Sequence, residues 1–158
     1  MTLDTQQIHH LVTQPRTLVL GMDTPDGPWT APVYFVYDRG AFYFFSNPKS
    51  RHLNPATPGA AASIFQDADR VDKIVGLQMQ GAIEPVSRTG EKFKTMAAYV
   101  KKFNFLEKKF GKQILENPQF FAEKFHARPH KFIPGEIWLS NHGRTGSGRQ
   151  PVPLEVMP

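Results

Sequence analysis

The sequence predicts an α+β fold that is predominantly β: a six-stranded antiparallel barrel with a helical segment inserted before the last strand. Three observations carry this. Short apolar runs separated by turn residues fill residues 17–86, without the alternation of short strands and long helices that marks a parallel doubly wound sheet. Apolar residues then recur at helical spacing, as Phe93, Met96, Ala97, Val100 and Phe103, with lysines between them. A final β-like run covers residues 131–140. With 158 residues, a single domain is the expectation.

Each element follows from local chemistry. Residues 2–12 read as a short helix with Ile8, Leu11 and Val12 on one face, stopped by Pro15. Residues 17–22 form a compact strand, and residues 23–27, Asp-Thr-Pro-Asp-Gly, a turn. Residues 29–38 are rich in β-branched and aromatic side chains, and Asp38, Arg39 and Gly40 turn them into a strand over 41–47. Pro32 lacks a ladder donor and belongs at an edge or a bulge. Val33, Phe35 and Tyr37 oppose Tyr34 and Val36, so both faces of this hairpin are apolar and both should be covered. After a loop over 48–59 come a strand at 60–66, a polar loop at 67–72 and the longest strand, 73–86. There Val75, Leu77, Met79 and Ile83 face one way while Gly76, Gln78, Gln80 and Glu84 face the other, which gives a polar lining, a wet interface or a solvated face.

Thr89 suits the N-cap of the basic helix and Gly111 its C-terminal stop. A second helix starts with Asn117 as cap and Pro118 in its first position and runs to about Phe125. The predicted domain spans residues 1–142, with the helical insertion at about 88–126. Residues 143–158, rich in Gly and Pro, form a flexible or partner-bound tail.

Composition removes several function classes. There is no Cys, so disulfides, thiolate metal sites and cysteine nucleophiles are excluded, and redox chemistry has to come from a cofactor. No apolar stretch approaches the ~20 residues that span a bilayer. Residues 1–10 lack the order of a signal peptide, so the expected location is cytoplasmic. Six His are present, but none is paired with a carboxylate at ligand spacing, and no metal is expected. Residues 143–149 look superficially like a phosphate loop, yet lack its strand–helix context and its Lys-Ser/Thr ending. Thirteen Phe must be buried in a core or shared with a partner.

The net charge of +5 is unevenly spread. Residues 88–131 hold 11 basic and 4 acidic side chains, a net of +7, and the remaining 8 basic and 10 acidic give −2. Lys101, Lys102, Lys108, Lys109 and Lys112 make either the polar face of an amphipathic helix or a patch for nucleic acid or a membrane surface.

The strongest local signal is Ser46-Asn47-Pro48-Lys49-Ser50-Arg51-His52-Leu53. A strand ends, the chain turns, and a short helical turn begins among cationic and hydroxyl side chains. Those are the ingredients of a phosphate site; a capped, solvated turn is the alternative. Here the sequence resembles the pyridoxamine 5′-phosphate oxidase-like split-barrel family. Its members follow a strand-end aromatic, hydroxyl and Asn with Ser-Arg-Lys, matched here by Phe45-Ser46-Asn47 and Ser50-Arg51-His52. The preceding Pro32-Val33-Tyr34-Phe35 and the following Gly76-Leu77-Gln78-Met79-Gln80-Gly81 are similar to the family's flanking strands. The resemblance covers about residues 17–86, with weaker support from 131–139.

The resemblance implies a homodimer holding FMN in a cleft between subunits. In it Ser50 and Arg51 would grip the phosphate with Lys49 as accessory, and Phe45 and Ser46 would lie beside the ribityl chain. Main-chain groups of Val33 and Tyr34 would face the isoalloxazine ring, with Gln78 a polar flavin contact. His52 replaces the family's Lys, so that phosphate contact would be weaker, longer or pH-sensitive. Residues 137–142, Ile-Trp-Leu-Ser-Asn-His, stand where true oxidases carry the Arg-Leu-His they use on substrate. Pyridoxamine phosphate oxidation is therefore not expected; a flavin reductase, a flavin carrier or another flavin-dependent oxidoreductase is. Two alternatives stand beside this reading. One is the same barrel with a deazaflavin or haem, for which His126 and His130 are noted. The other is a non-enzymatic nucleic-acid-binding protein using the basic helix.

Overall fold

The computed structural model describes residues 3–142 and 148–158. Helix α1 (Thr5–Thr13) opens on Asp4, whose carboxylate accepts from the Gln7 amide at 3.1 Å, and buries Ile8, Leu11 and Val12. Strands β1 (Thr17–Thr24) and β2 (Gly27–Tyr34) form the first hairpin. β3 (Val36–Asp38) and β4 (Ala41–Ser46) form the second, turned by Arg39 and Gly40 at φ +49° and +78°. Positive φ at both central residues matches the twist of the strands that this turn joins. β5 (Ala60–Gln66) and β6 (Val75–Pro85) precede α2 (Thr89–Lys102), α3 (Phe105–Phe110), α4 (Gln113–Glu116) and α5 (Phe120–Phe125). β7 (Arg128–Asn141) and β8 (Arg149–Pro151) complete the sheet.

All pairings are antiparallel, in the order β2-β1-β5-β6-β7-β4-β3, with β8 also on β7, and the sheet curls into a half-barrel. The strand count among the described residues is eight, against six predicted, for two physical reasons. The single run expected over 29–38 is broken at Phe35, which is fully buried and whose amide donates to the Arg16 carbonyl at 3.1 Å. The segment expected as a flexible or partner-bound tail is held by its own chain from residue 148. Trp138 faces Pro151, the Val152 amide donates to the Ile137 carbonyl, and Val152 is buried. The phosphate-loop-like stretch 143–147 lies outside the described residues.

The longest strand is β7, with 14 residues, and not β6, with 11. Gln80 faces Glu136 but Gly81 faces Pro134, so Gly135 is an extra residue bulged out of β7. A Cβ on Gly81 would sit 2.0 Å from the Ile133 carbonyl oxygen, a close approach only glycine permits. Pro32, as expected, lies on an edge strand.

Two cores result. The interior one holds Leu18, Leu20, Phe35, Phe42, Phe44, Leu77 and Phe132, with α1 packed against it. The second lies between the outer face of the sheet and the inserted helices: Val36, Tyr43 and Val86 against Met96, Tyr99, Phe103, Ile114 and Phe121. The buried stripe of α2 is rotated from the predicted one. Thr95, Met96, Tyr99 and Val100 are buried, whereas Phe93 and Ala97 are exposed, and Arg88 takes the N-cap position assigned to Thr89. Lys102 ties the two cores together. Its Nζ donates to the Pro15 carbonyl at 2.6 Å and sits 3.7 Å from the Phe35 ring centroid and 5.4 Å from that of Phe103. Among the described residues, no helix is long and apolar enough to cross a membrane.

Candidate functional site

Alternation along β4 decides what each residue can offer. Phe42 and Phe44 point into the interior core, and Tyr43 and Phe45 point outward into the second. The Phe45 ring is packed 4.9 Å from Tyr99 and 4.4 Å from Phe121, so toward a ligand this residue presents main chain. Ser46, buried at the strand end, shares a 2.9 Å hydrogen bond with His52 Nε2. That bond closes a tight turn. Asn47 Oδ1 accepts from the Lys49 amide, the Asn47 carbonyl accepts from the Ser50 amide, and a 3₁₀ turn runs over Arg51–Leu53.

Arg51 does not reach freely into solvent. Its Nε donates to Thr24 Oγ1 at 3.1 Å, its Nη2 to the Gly27 carbonyl at 3.5 Å, and its guanidinium lies 4.2 Å over the Trp29 ring. The fork is thus fixed against the β1–β2 turn, while Nη1 has no hydrogen-bond partner among the described residues. A cation held in place by three contacts can bind an anion at little further entropic cost. Lys49 is exposed beside it and Ser50 is half-buried.

Val33 and Tyr34 close β2, which is the outer edge strand of the sheet. An edge strand leaves a row of N–H and C=O groups unpaired. Tyr34 is 47% exposed, with its ring stacked at 5.2 Å on that of buried Phe103. Trp29, under Arg51, is four residues from Val33, about 13 Å at ~3.3 Å per residue. Gln78 is different. It lies exposed on the outer face of β6, opposite Ser63 and Trp138. Three strand steps, β2 to β1 to β5 to β6, separate it from Tyr34 by roughly 14 Å. Ser46, Lys49, Ser50, Arg51 and His52 therefore form one cluster, Val33 and Tyr34 lie along β2 from it, and Gln78 stands apart.

The fold adds residues that sequence reasoning missed or left unassigned. Thr24 and Trp29 position Arg51, and an exposed aromatic beside a turn was the one signal for the latter. His130 faces His52 across a cavity of about 450 Å³ that also meets Pro48, Leu53, Gly59 and Glu84. His130 Nδ1 bonds the Arg128 carbonyl at 2.8 Å, and its ring stacks on Phe44. Burial holds both imidazoles below their ordinary pKa. The neighbouring His130 adds to this for His52, and Arg128 adds to it for His130, partly offset by the carbonyl bond. Both are neutral near pH 7. Among the described residues, no three metal-ligating side chains gather.

The comparisons agree with this architecture. The family model for pyridoxamine 5'-phosphate oxidase matches residues 4–116. A search of curated proteins gives no match. Among solved structures, a conserved hypothetical protein of Mycobacterium tuberculosis superposes with a TM-score of 0.72 at 16% identity, covering 97% of this chain and 94% of that one. A FAD-binding protein from Mesorhizobium loti gives 0.62 at 13% identity, with 88% and 95% covered. A heme binding protein from Mycobacterium smegmatis gives 0.68 at 15% identity, covering 99% of this chain and 60% of that one. At such identities these likenesses establish the fold. With the family match spanning most of the chain and the half-barrel in place, the chain belongs to the pyridoxamine 5′-phosphate oxidase family.

Proposed function

We propose that the protein is an FMN-binding flavoprotein, a flavin-dependent oxidoreductase whose cofactor lies at a homodimer interface. The observation that carries this is the fixed Arg51 guanidinium, pinned on Thr24, Gly27 and Trp29 beside Ser50 and Lys49. FMN needs a grip for a dianionic phosphate, a main-chain edge for its ring, and flat apolar surface. The Ser50–Arg51 turn suits the first, the free edge of β2 at Val33–Tyr34 the second, and the ring of exposed Tyr34 the third. The flavin supplies the hydride or electron chemistry when bound, which a chain without Cys cannot supply itself.

Dimerisation completes the site in this reading. Val19, Ser63, Gln78 and Trp138 stand in one row across the outer face, with Phe65 63% exposed beside it. A second copy against this face would bring its Gln78 toward the flavin, which the Gln78 of the same chain is too distant to reach. The haem alternative keeps one favourable observation: two histidines held toward the neutral form, His52 and His130, line one cavity.

The test is a visible spectrum of protein reconstituted with FMN, then of the Arg51→Ala variant. Wild type is expected to retain FMN, and the variant to lose FMN affinity far more than riboflavin affinity, since only FMN carries the phosphate. Equal losses would remove Arg51 from the phosphate role. A Soret band with no flavin signal in the protein as isolated would favour haem.

A further inference from the structure

Beyond the Ser50–Arg51 turn, two more cavities open at Pro48. One, of about 540 Å³, is lined by Lys49, His126 and Arg128. The other, of about 270 Å³, shares Pro48, Ala122 and Arg128 with it and adds Lys92, Ser87 and His130. Shared walls make them one trough, running between the loop after β4, the start of α2, α5 and the start of β7, and it meets the His52 cavity at Pro48, Pro85 and His130. Four prolines, Pro48, Pro85, Pro118 and Pro129, line its second half, so much of its wall has fixed φ and is formed in advance.

The charge along the trough has one sign. Lys49, Lys92 and Arg128 come from three different elements, and none has an ion-pair partner among the described residues. No carboxylate lines either cavity. Of the nearby acids, Glu91 is paired with Lys131 at 2.9 Å and accepts from Tyr43 at 3.1 Å, Glu123 accepts from Asn117 at 3.1 Å, and Glu84 lines the neighbouring histidine cavity beyond Pro85. Like charges gathered around a concavity raise its potential and draw in anions. Their placement also sets the size of the anion. Lys49 belongs to one cavity, Lys92 to the other, and Arg128, whose planar fork takes phosphate in two-pronged fashion, stands where they join. A single phosphate meets only part of this set. Ala122 and the prolines offer apolar surface to an organic body.

We infer that this trough is a second binding site, centred on Arg128 rather than on Arg51, for an organic ligand carrying two or more anionic groups, of the nucleoside-diphosphate class. Arg128 is its central contact and Lys92 takes an outer group, while Lys49 stays with the flavin phosphate.

Titration calorimetry of the full chain tests this, with ADP as probe and inorganic phosphate for comparison. One ADP per chain is expected, bound at least tenfold more tightly than phosphate and weakened by added salt. Arg128→Ala should weaken ADP by tenfold or more and Lys92→Ala by several-fold, with FMN retention unchanged in both. Arg51→Ala should leave ADP binding within about twofold. If Arg128→Ala melts early, Lys92→Ala and Lys92→Glu decide, the latter weakening ADP further. No binding of ADP at millimolar concentration overturns the inference. So does loss of ADP binding in Arg51→Ala, or displacement of ADP by FMN one for one, since either makes trough and turn a single site. A protein that takes up no flavin but still binds ADP through Arg128 refutes the flavin reading and leaves this one standing.

Discussion

At the scale of single residues, the site depends on side chains that hold other side chains. Trp29 meets the phosphate turn through its ring, which lies 4.2 Å under the Arg51 guanidinium. A cation–π contact at an exposed ring contributes about 0.5–1 kcal/mol. Trp29→Ala is therefore expected to weaken FMN by roughly 2–5-fold, well short of the Arg51→Ala effect, with riboflavin almost unaffected. Fluorescence titration with both ligands reads this, and a Trp29→Ala loss as large as that of Arg51→Ala would mean that the ring contacts the ligand directly. His52 and His130 give a pH signature. Both have folded-state pKa values below the ordinary 6.5, so below that pH the unfolded chain takes up protons that the folded chain resists. Their contribution is complete above about pH 6.5 and is lost as pH falls through their lowered values. Glu91, lowered mainly by its hydrogen bond to Lys131, titrates in a more acidic window and leaves this one clean. Melting temperature should fall from pH 6.5 toward pH 5, and replacing both histidines by Gln should flatten that slope. An unchanged slope would remove them as its cause.

Among the elements, β7 shapes the barrel, and its bulge is the most sensitive point. Gly81→Ala forces a Cβ into the Ile133 carbonyl, whereas on Gly135 the nearest atom to a new Cβ is the Gln80 carbonyl oxygen at 3.7 Å. The first change should cost about 3 kcal/mol, at the upper end for overpacking, and the second well under half of that. Denaturant unfolding of the two variants gives the comparison, and equal losses would contradict the bulge geometry. How much was readable beforehand follows the same division between local and distant causes. β5 was legible to the residue and the hairpins closely so, because turn chemistry and alternation are local; the helix expected to start at Asn117-Pro118 starts at Phe120 instead, capped by Gln119, whose amide donates to Asn117 Oδ1 at 2.9 Å. The break at Phe35, the strand β8 and the bulge at Gly135 were not legible, because each depends on a partner far along the chain: Arg16, Trp138 and Gln80. The site divides likewise. Ser46–His52 is a contiguous signature, but Trp29 and His130 reach that loop only through the curl of the sheet.

For the molecule as a whole, the flavin reading requires two copies. Phe65→Asp places a charge on the exposed outer face, away from both cores. The variant is expected to sediment as a monomer and to retain less FMN, while melting close to wild type. A dimer that persists through this change would place the interface elsewhere. The basic insertion, the first suspect for nucleic acid on charge alone, has its aromatic side committed to the second core and a share of its lysines engaged, Lys102 foremost. That lysine has a further consequence. It joins the linker at Pro15, the interior ring of Phe35 and the helical ring of Phe103, and so couples the half-barrel to the helices laid on it. Residues 89–125 are then not an appendage that opens by itself but part of one cooperative unit. In native-state hydrogen exchange, the amides of α2 should be protected nearly as long as those of β6. In Lys102→Met the helices should exchange first, as a separate foldon released from the barrel.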